Sequence, residues 1–197
     1  MKARSNPAEL SGIRFVQFVQ FIQFVTVQRC LPRLLTILAA LFGVSSAAGQ
    51  TYVVNVFMLE SCTITQAFTD ELIRLHQDFS SDSIQFVGWF PNQVSTWESI
   101  EEFRKTSDLP FVCRIDSGAV RARRYGVTIT PEVAIVSVAD QQVLYRGRVN
   151  DLFVRVGQRR GMVTQHDVRA VLRALTDGMS VTPRVTTAIG CILPVWR

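Results

Sequence analysis

Strand-length apolar runs alternate with segments of helical periodicity through most of the chain after residue 50. The first run extends from Thr51 to Leu59 and is rich in Val, Tyr and Phe, as is typical of a buried strand. From Ile64 to Phe79, apolar residues recur every three or four positions, which is the spacing of one helix face. Parallel strands need a crossover between them, so this alternation predicts a mostly parallel sheet with helices on both faces.

The later segments complete an α/β fold with an antiparallel hairpin at one edge of the sheet. We predict strands over 84–90, 109–115, 133–138 and 143–149, with a tight turn joining the last two. Capping boxes predict helices starting at Ser95 (with Glu98) and at Thr164 (with Asp167). Residues 150–163 show no clear period, and residues 179–197 are interpreted as a C-terminal tail.

Residues 1–48 are predicted to be a leader that precedes a single domain over 49–178. The apolar run 34–44 follows Arg29 and Arg33, and Ser46-Ala47-Ala48 fits the small-x-small cleavage pattern. Cleavage after residue 48 would make this segment a signal peptide. An uncleaved membrane anchor and a start codon placed too far upstream are the alternatives. We therefore expect export to the periplasm or secretion, with membrane contact only through a retained leader.

The basic character of the chain belongs mainly to this leader. The formal charge is +5, from 21 basic and 16 acidic residues, and residues 1–48 hold five of the basic and one of the acidic side chains. The rest is nearly neutral, so charge does not favour nucleic-acid binding by the domain. We found no Gly-rich phosphate loop, nucleophile elbow or zinc-type spacing, and we predict no cofactor.

Cys62 is the leading candidate for chemistry, because it lies where the first strand gives way to the first helix. Unpaired N–H groups in the first turn of a helix stabilise a thiolate, and Thr65 could add a hydroxyl. Export would place three cysteines in an oxidising compartment, and their odd number indicates one that stays free or reacts transiently. We favour a reactive Cys62 over a buried structural thiol, and we interpret Cys113, inside an apolar strand, as a core residue.

Residues 51–149 resemble the thioredoxin-like redoxin domain of the alkyl hydroperoxide reductase and thiol-specific antioxidant superfamily. The stretches that carry this resemblance are VVNVFMLESCTIT, IQFVGWF, LPFVCRID, YGVTITPEVAIV and VLYRGRV. A narrower group of exported bacterial redoxin proteins is similar over nearly all of the chain after the leader. Its counterparts here are CTITQ at 62–66, YRGR at 145–148, GQRR at 157–160, TQHD at 164–167 and IGC at 189–191.

The resemblance implies a three-layer thioredoxin-like fold and adds three residues to the site. It implies that Pro131 is cis and faces the nucleophile, and that Thr130 presents its backbone to an extended peptide. It also implies a partner for Cys62 in the tail, Cys191, as a resolving thiol. A stable bridge to Cys62, an inert Cys191, and resolution by an external thiol remain alternatives.

The departures from the family pattern limit what can be transferred. Thr65 stands where a dithiol thioredoxin has its second Cys, Thr63 replaces the usual Pro, and Leu59 stands where a peroxiredoxin has Thr or Ser. We predict a thiol–disulfide oxidoreductase acting through Cys62 on protein or small-molecule thiols and disulfides. The alternatives are a redox-inactive module that holds an extended partner at Thr130-Pro131, or a thiol peroxidase.

Other polar residues give weaker signals. Arg146 and Arg148 are interpreted as a solvated strand face, although they could raise the positive potential near a thiolate. His76 is placed on a helix surface. A copper site made by Cys62, Cys191 and His166 is conceivable. We predict no metal site, because Gln66 breaks the Cys-x-x-x-Cys pair of copper-delivery relatives.

Overall fold

The computed structural model describes residues 51–193. The predicted leader, its cleavage site and its alternatives lie outside the described residues, as does the end of the tail. Within 51–193 no helix has both the length and the apolar character needed to cross a bilayer.

Short strands and four helices follow one another along the described residues. The strands are β1 (Tyr52–Phe57), β2 (Ile84–Phe90), β3 (Val112–Ile115), β4 (Ile129–Thr130), β5 (Glu132–Ser137), β6 (Val143–Gly147), β7 (Phe153–Arg155), β8 (Gln158–Arg159), β9 (Arg184–Val185) and β10 (Cys191–Ile192). The helices are α1 (Thr63–Phe79), α2 (Trp97–Thr106), α3 (Val120–Tyr125) and α4 (Asp167–Thr176), and a 3-10 turn (Ser117–Ala119) precedes α3.

Six strands form the central sheet in the order β3-β2-β1-β5-β6-β9. β1 is parallel to β2, β2 is parallel to β3, and β9 is parallel to β6, whereas β5 is antiparallel to both β1 and β6. This confirms the predicted α/β class, a thioredoxin-like fold with a mostly parallel sheet and an antiparallel hairpin.

Helices cover both faces of the sheet. Side chains alternate along β1, so that Val54 and Val56 enter one core while Phe57 enters the other. The larger core takes the apolar faces of α1, α2 and α4, and the smaller core takes α3. The strand that precedes Cys62 is therefore buried on both sides.

Two predicted helix starts were wrong in detail. The capping box of α2 is formed by Thr96 and Ser99, because the side chain of Ser95 is taken up by Glu60. Trp97, the first residue of α2, is 58% exposed. α4 begins at Asp167 without a side-chain cap.

The residues expected to cap α4 bind elsewhere. The Thr164 hydroxyl and backbone N–H both donate to the buried carboxylate of Asp151, and the Asp167 carboxylate binds Arg148. Burial alone would raise the pKa of Asp151, but these hydrogen bonds, the Gln165 N–H and the Arg160 charge hold it well below its usual range.

The tail and the preceding loop contain strands that the sequence did not predict. β7 and β8 form a small hairpin, β9 extends the central sheet beyond β6, and β10 pairs with β4 apart from that sheet. Thr186 fastens the tail to β6, since its N–H donates to Arg146 O at 2.9 Å and its hydroxyl lies 2.7 Å from the Tyr145 hydroxyl. A Cβ at Gly147 would overlap Thr186, so the motif YRGR leaves room for the tail to cross.

Candidate active site

Cys62 occupies the N-cap position of α1, at the end of the loop that follows β1. Its backbone is extended (φ −84°, ψ 115°), and its carbonyl accepts the first helical hydrogen bond from Gln66 N at 3.0 Å. This conformation directs the N–H groups of the first turn toward the thiol side of the cap. The residue is 2% exposed, so the sulfur is closely covered.

Hydrogen-bond donors around Cys62 favour its anion. Burial alone would raise the pKa of this thiol, but four hydrogen bonds outweigh it. They come from the Cys191 thiol, from both the N–H and the hydroxyl of Thr65, and from the Ile64 N–H. The pKa of Cys62 is consequently below its ordinary value, and the thiolate is the nucleophilic form.

Thr65 is fully buried one turn into α1 and makes contacts on both sides of its hydroxyl. The oxygen accepts from Leu59 N at 3.5 Å, while the hydroxyl donates to Cys62. This side chain therefore ties the loop before the cysteine to the helix after it. The chain has a donor here, where a dithiol thioredoxin would have a second sulfur.

Cys191 has the opposite protonation preference. Burial raises its pKa to about 11, and so do its hydrogen bond to Cys62 and the repulsion from a charge on that sulfur. Both thiols are free, and the opposite pKa shifts favour a negative charge on Cys62 and a proton on Cys191. Such a pair is chemically suited to forming a disulfide.

The loop at Thr130 completes the site. The Thr130-Pro131 peptide bond is cis, Thr130 is fully buried, and the Cys62 Sγ lies 3.7 Å from the Thr130 carbonyl oxygen. β10 runs antiparallel to β4 with Cys191 opposite Thr130. The structure thus brings together the five site residues named from the sequence, namely Cys62, Thr65, Thr130, Pro131 and Cys191.

Sequence reasoning missed the acidic residue that follows Pro131. Glu132 is buried on β5, and burial raises the pKa of its carboxyl. The Thr128 N–H and the Arg146 charge favour the ionised form, but they only partly offset the effect of burial. The Arg146 guanidinium lies 3.6 Å from this carboxylate. Its position directly after the proline was the only available signal.

The two arginines of YRGR are not a solvated strand face, so that interpretation was wrong. Their side chains are only 28% and 24% exposed for Arg146 and Arg148, and Arg148 binds Asp167 at 2.7 Å. Each pairs with a carboxylate from another element, Arg146 with Glu132 of β5 and Arg148 with Asp167 of α4. Their charges are used in packing these elements together.

A second missed residue, Glu60, steadies the loop before Cys62. Its carboxylate accepts hydrogen bonds from the Ser95 hydroxyl at 2.6 Å and the Ser99 hydroxyl at 3.0 Å. Its backbone oxygen accepts from the Gln66 side chain at 2.9 Å. The loop is therefore held by α2 on one side and by α1 on the other.

The remaining cysteine and histidines lie outside this cluster. Cys113 is buried in the larger core, and burial raises its pKa to about 12, which makes it unreactive. His76, expected on a surface, is partly buried against Phe86 and Phe111. His166 is the residue before α4. Over residues 51–193, no three His, Cys, Asp or Glu side chains meet in a way that could hold a metal ion.

Comparison with known proteins gives structural similarity only. No protein-family model and no curated protein matches the chain. It is similar to an uncharacterized conserved protein from Geobacillus kaustophilus, with 25% identity, a TM-score of 0.63, and coverage of 78% of this chain and 82% of that one. A hypothetical protein from Sinorhizobium meliloti 1021 gives 21% identity, a TM-score of 0.62, and coverage of 73% and 79%. These similarities concern the fold alone.

Proposed function

We propose that this protein is a thiol–disulfide oxidoreductase in which Cys62 is the nucleophile and Cys191 the resolving thiol. The observation that carries the proposal is the hydrogen-bonded pair of free thiols with opposite pKa shifts. One sulfur is prepared to attack, and the other lies beside it, still holding its proton. Disulfide exchange requires these two roles.

The reaction balances with these two residues. The Cys62 thiolate attacks one sulfur of a partner disulfide, which forms a mixed disulfide and releases the other sulfur as a thiolate that takes a proton from solvent. Cys191 then attacks the Cys62 sulfur, passes its proton to the second leaving sulfur, and closes the Cys62–Cys191 disulfide. The partner is reduced by two electrons and the protein is oxidised by two. An external thiol reductant restores the dithiol by the same exchange in reverse.

The alternative is a redox-inactive module that holds an extended segment at β4. The 2% exposure of Cys62 favours it, because a covered sulfur cannot meet a bulky partner without movement. A peroxidase receives no such support, since Leu59 supplies no hydroxyl at the position where that class has Thr or Ser.

Trapping the intermediates separates these functions. We would treat the reduced protein with glutathione disulfide and map the adducts by mass spectrometry in wild type, Cys62→Ser, Cys191→Ser and the control Cys113→Ser. We expect a Cys62–Cys191 disulfide in wild type and in the control, a stable glutathione adduct on Cys62 in Cys191→Ser, and no such adduct in Cys62→Ser. Absence of any adduct in Cys191→Ser would instead favour the binding module, and rapid thiol-dependent consumption of hydrogen peroxide would favour the peroxidase.

A further inference from the structure

The strand β10 occupies the edge where the proposed function needs an external partner. It pairs antiparallel with β4, with Cys191 opposite Thr130 and Ile192 opposite Ile129. Leu193 N donates to Thr128 O at 2.8 Å, and the Thr130 hydroxyl donates to Cys191 O at 3.4 Å. The main-chain groups of β4 that could bind an extended peptide are therefore engaged by the tail.

The fit at this edge depends on a glycine. A Cβ on Gly190 would lie 2.7 Å from the Thr130 carbonyl carbon and would overlap the carbonyl oxygen. Real Cβ atoms do not approach backbone this closely, and backbone cannot yield as a flexible side chain can. An occupant in this register must therefore have glycine immediately before its cysteine.

Apolar side chains on either side of Cys191 hold the tail in place. Ile189 packs against the larger core, and Leu193 is buried in the smaller one. Ile192, between them, is 78% exposed. The attachment amounts to one short strand and a few side chains, which is the kind of contact that opens locally without unfolding the domain.

We propose that residues 188–193 are a tethered occupant of a peptide-binding edge, and that the external partner is an extended Gly-Cys-aliphatic segment that binds β4 in the same register once the tail leaves. The chemistry of that partner rests on the proposed function, but occupancy of the edge can be tested without it. Exchange with a protein partner then requires opening of the tail, because Cys62 is covered while β10 is paired.

Gly190→Val in the full chain tests whether the tail covers the thiol, and Gly161→Val is the matched control because a Cβ there meets nothing. Alkylation of Cys62, located by mass spectrometry, is followed against pH. The plateau rate constant at high pH reports access, and the midpoint reports the pKa. We expect Gly190→Val to raise the plateau about tenfold or more and to move the midpoint upward through loss of the Cys191 donor. An unchanged plateau in a variant that still unfolds cooperatively would overturn the proposal.

A second measurement uses no redox chemistry. In full-length Cys62→Ser/Cys191→Ser protein, binding of the peptide Ac-Ala-Ile-Gly-Ser-Ile-Leu-NH2 is compared with and without Gly190→Val. We expect binding only when the tail is displaced, and binding weaker by about tenfold or more when alanine replaces the peptide glycine. Equal binding of the two peptides, or equal binding with the tail paired, would contradict the proposal. If Gly190→Val does not fold, Leu193→Ser removes the apolar anchor and is read in the same way.

The two proposals fail separately. Suppose that the wild type exchanges thiols, while Gly190→Val changes neither the plateau alkylation rate of Cys62 nor peptide binding. The oxidoreductase proposal is then supported, and the proposal that the tail occupies a peptide-binding edge is contradicted. If the peptide binds as expected while no adduct forms on Cys62 in the trapping experiment, the edge is a binding site and the oxidoreductase falls.

Discussion

The Cys191 thiol lowers the pKa of the neighbouring Cys62 thiol by acting as a hydrogen-bond donor to its sulfur. Different elements position the two residues. Cys62 lies at the start of α1, and Cys191 lies on β10, which pairs with β4. The contact lowers the pKa of one sulfur and raises that of the other. The same donor that stabilises the nucleophile is therefore the group that would later displace the partner.

Removing this donor should make Cys62 less acidic. We expect Cys191→Ala to raise the pKa of Cys62, while Cys191→Ser, which keeps a hydroxyl donor, raises it less. The measurement is the pH dependence of Cys62 alkylation in the two variants. An unchanged midpoint in Cys191→Ala would mean that the first turn of α1 and Thr65 set the acidity alone.

Thr65 should contribute to both acidity and stability. Thr65→Val keeps the shape but removes the hydroxyl bound to Cys62 and Leu59, so we expect a higher pKa at Cys62 and a loss of about 1 kcal/mol in the free energy of unfolding. Thr69→Val is the matched control on the same helix, because the Thr69 hydroxyl binds only Gln66 O at 2.9 Å. Denaturant titration and alkylation profiles check both effects, and equal pKa changes in the two variants would contradict the assigned role.

Cys113 should be protected from reagents until the protein unfolds. Its burial and its pKa of about 12 predict no labelling of the native protein near neutral pH and complete labelling in denaturant. Because the native pKa is raised, this thiol contributes stability that is fully present below its unfolded pKa of about 8.5 and is lost as the pH rises toward 12.

The corresponding alkaline decline can be measured directly. We expect the free energy of unfolding to fall between about pH 9 and pH 11, with a contribution of up to about 1.4 kcal/mol per pH unit from Cys113. Cys113→Ala should reduce that slope. Cys191 adds to the slope in the same direction, since its pKa is raised to about 11. A slope that Cys113→Ala leaves unchanged would show that this thiol titrates normally.

The Thr186 hydroxyl should secure the tail against β6. It lies 2.7 Å from the hydroxyl of the buried Tyr145 and accepts from Arg148 N at 3.2 Å. We expect Thr186→Val to cost about 1 to 3 kcal/mol in the free energy of unfolding, because the Tyr145 hydroxyl and the Arg148 N–H each lose a hydrogen bond. The exposed Thr187→Val is the control, and limited proteolysis should cleave the tail faster only in Thr186→Val.

The sequence predicted the framework of the site well because its signals are local. A cysteine between an apolar strand and an amphipathic helix specifies its own environment within a few residues, and so does Thr65 one turn later. The central strands could be predicted for the same reason, because the pattern of apolar residues that marks a strand lies within the strand itself. The pairing of Cys62 with Cys191 and the cis bond at Pro131 came from family resemblance, because neither leaves a local pattern.

The features that were missed depend on residues distant in the chain. β9 and β10 contain two residues each, too few to show a period, and they exist because β6 and β4 offer open edges. The spacing of Arg146 and Arg148 is that of a solvent-facing strand surface. In the structure they form ion pairs with Glu132 and Asp167, which belong to other elements. Ser95 and Thr164 carried plausible capping signals, but Glu60 and Asp151 bind them instead.

The crossing of the tail at Gly147 sets the local concentration of the resolving thiol. Even with β10 detached, the hydrogen bonds of Thr186 to β6 keep Cys191 close to Cys62, because only four residues separate Thr186 from Cys191. A tether of this length corresponds to an effective concentration of about millimolar or more. Free thiols at lower concentrations would therefore resolve the mixed disulfide more slowly than Cys191. A partner peptide would have to bind β4 tightly enough to compete with the tethered tail at this effective concentration.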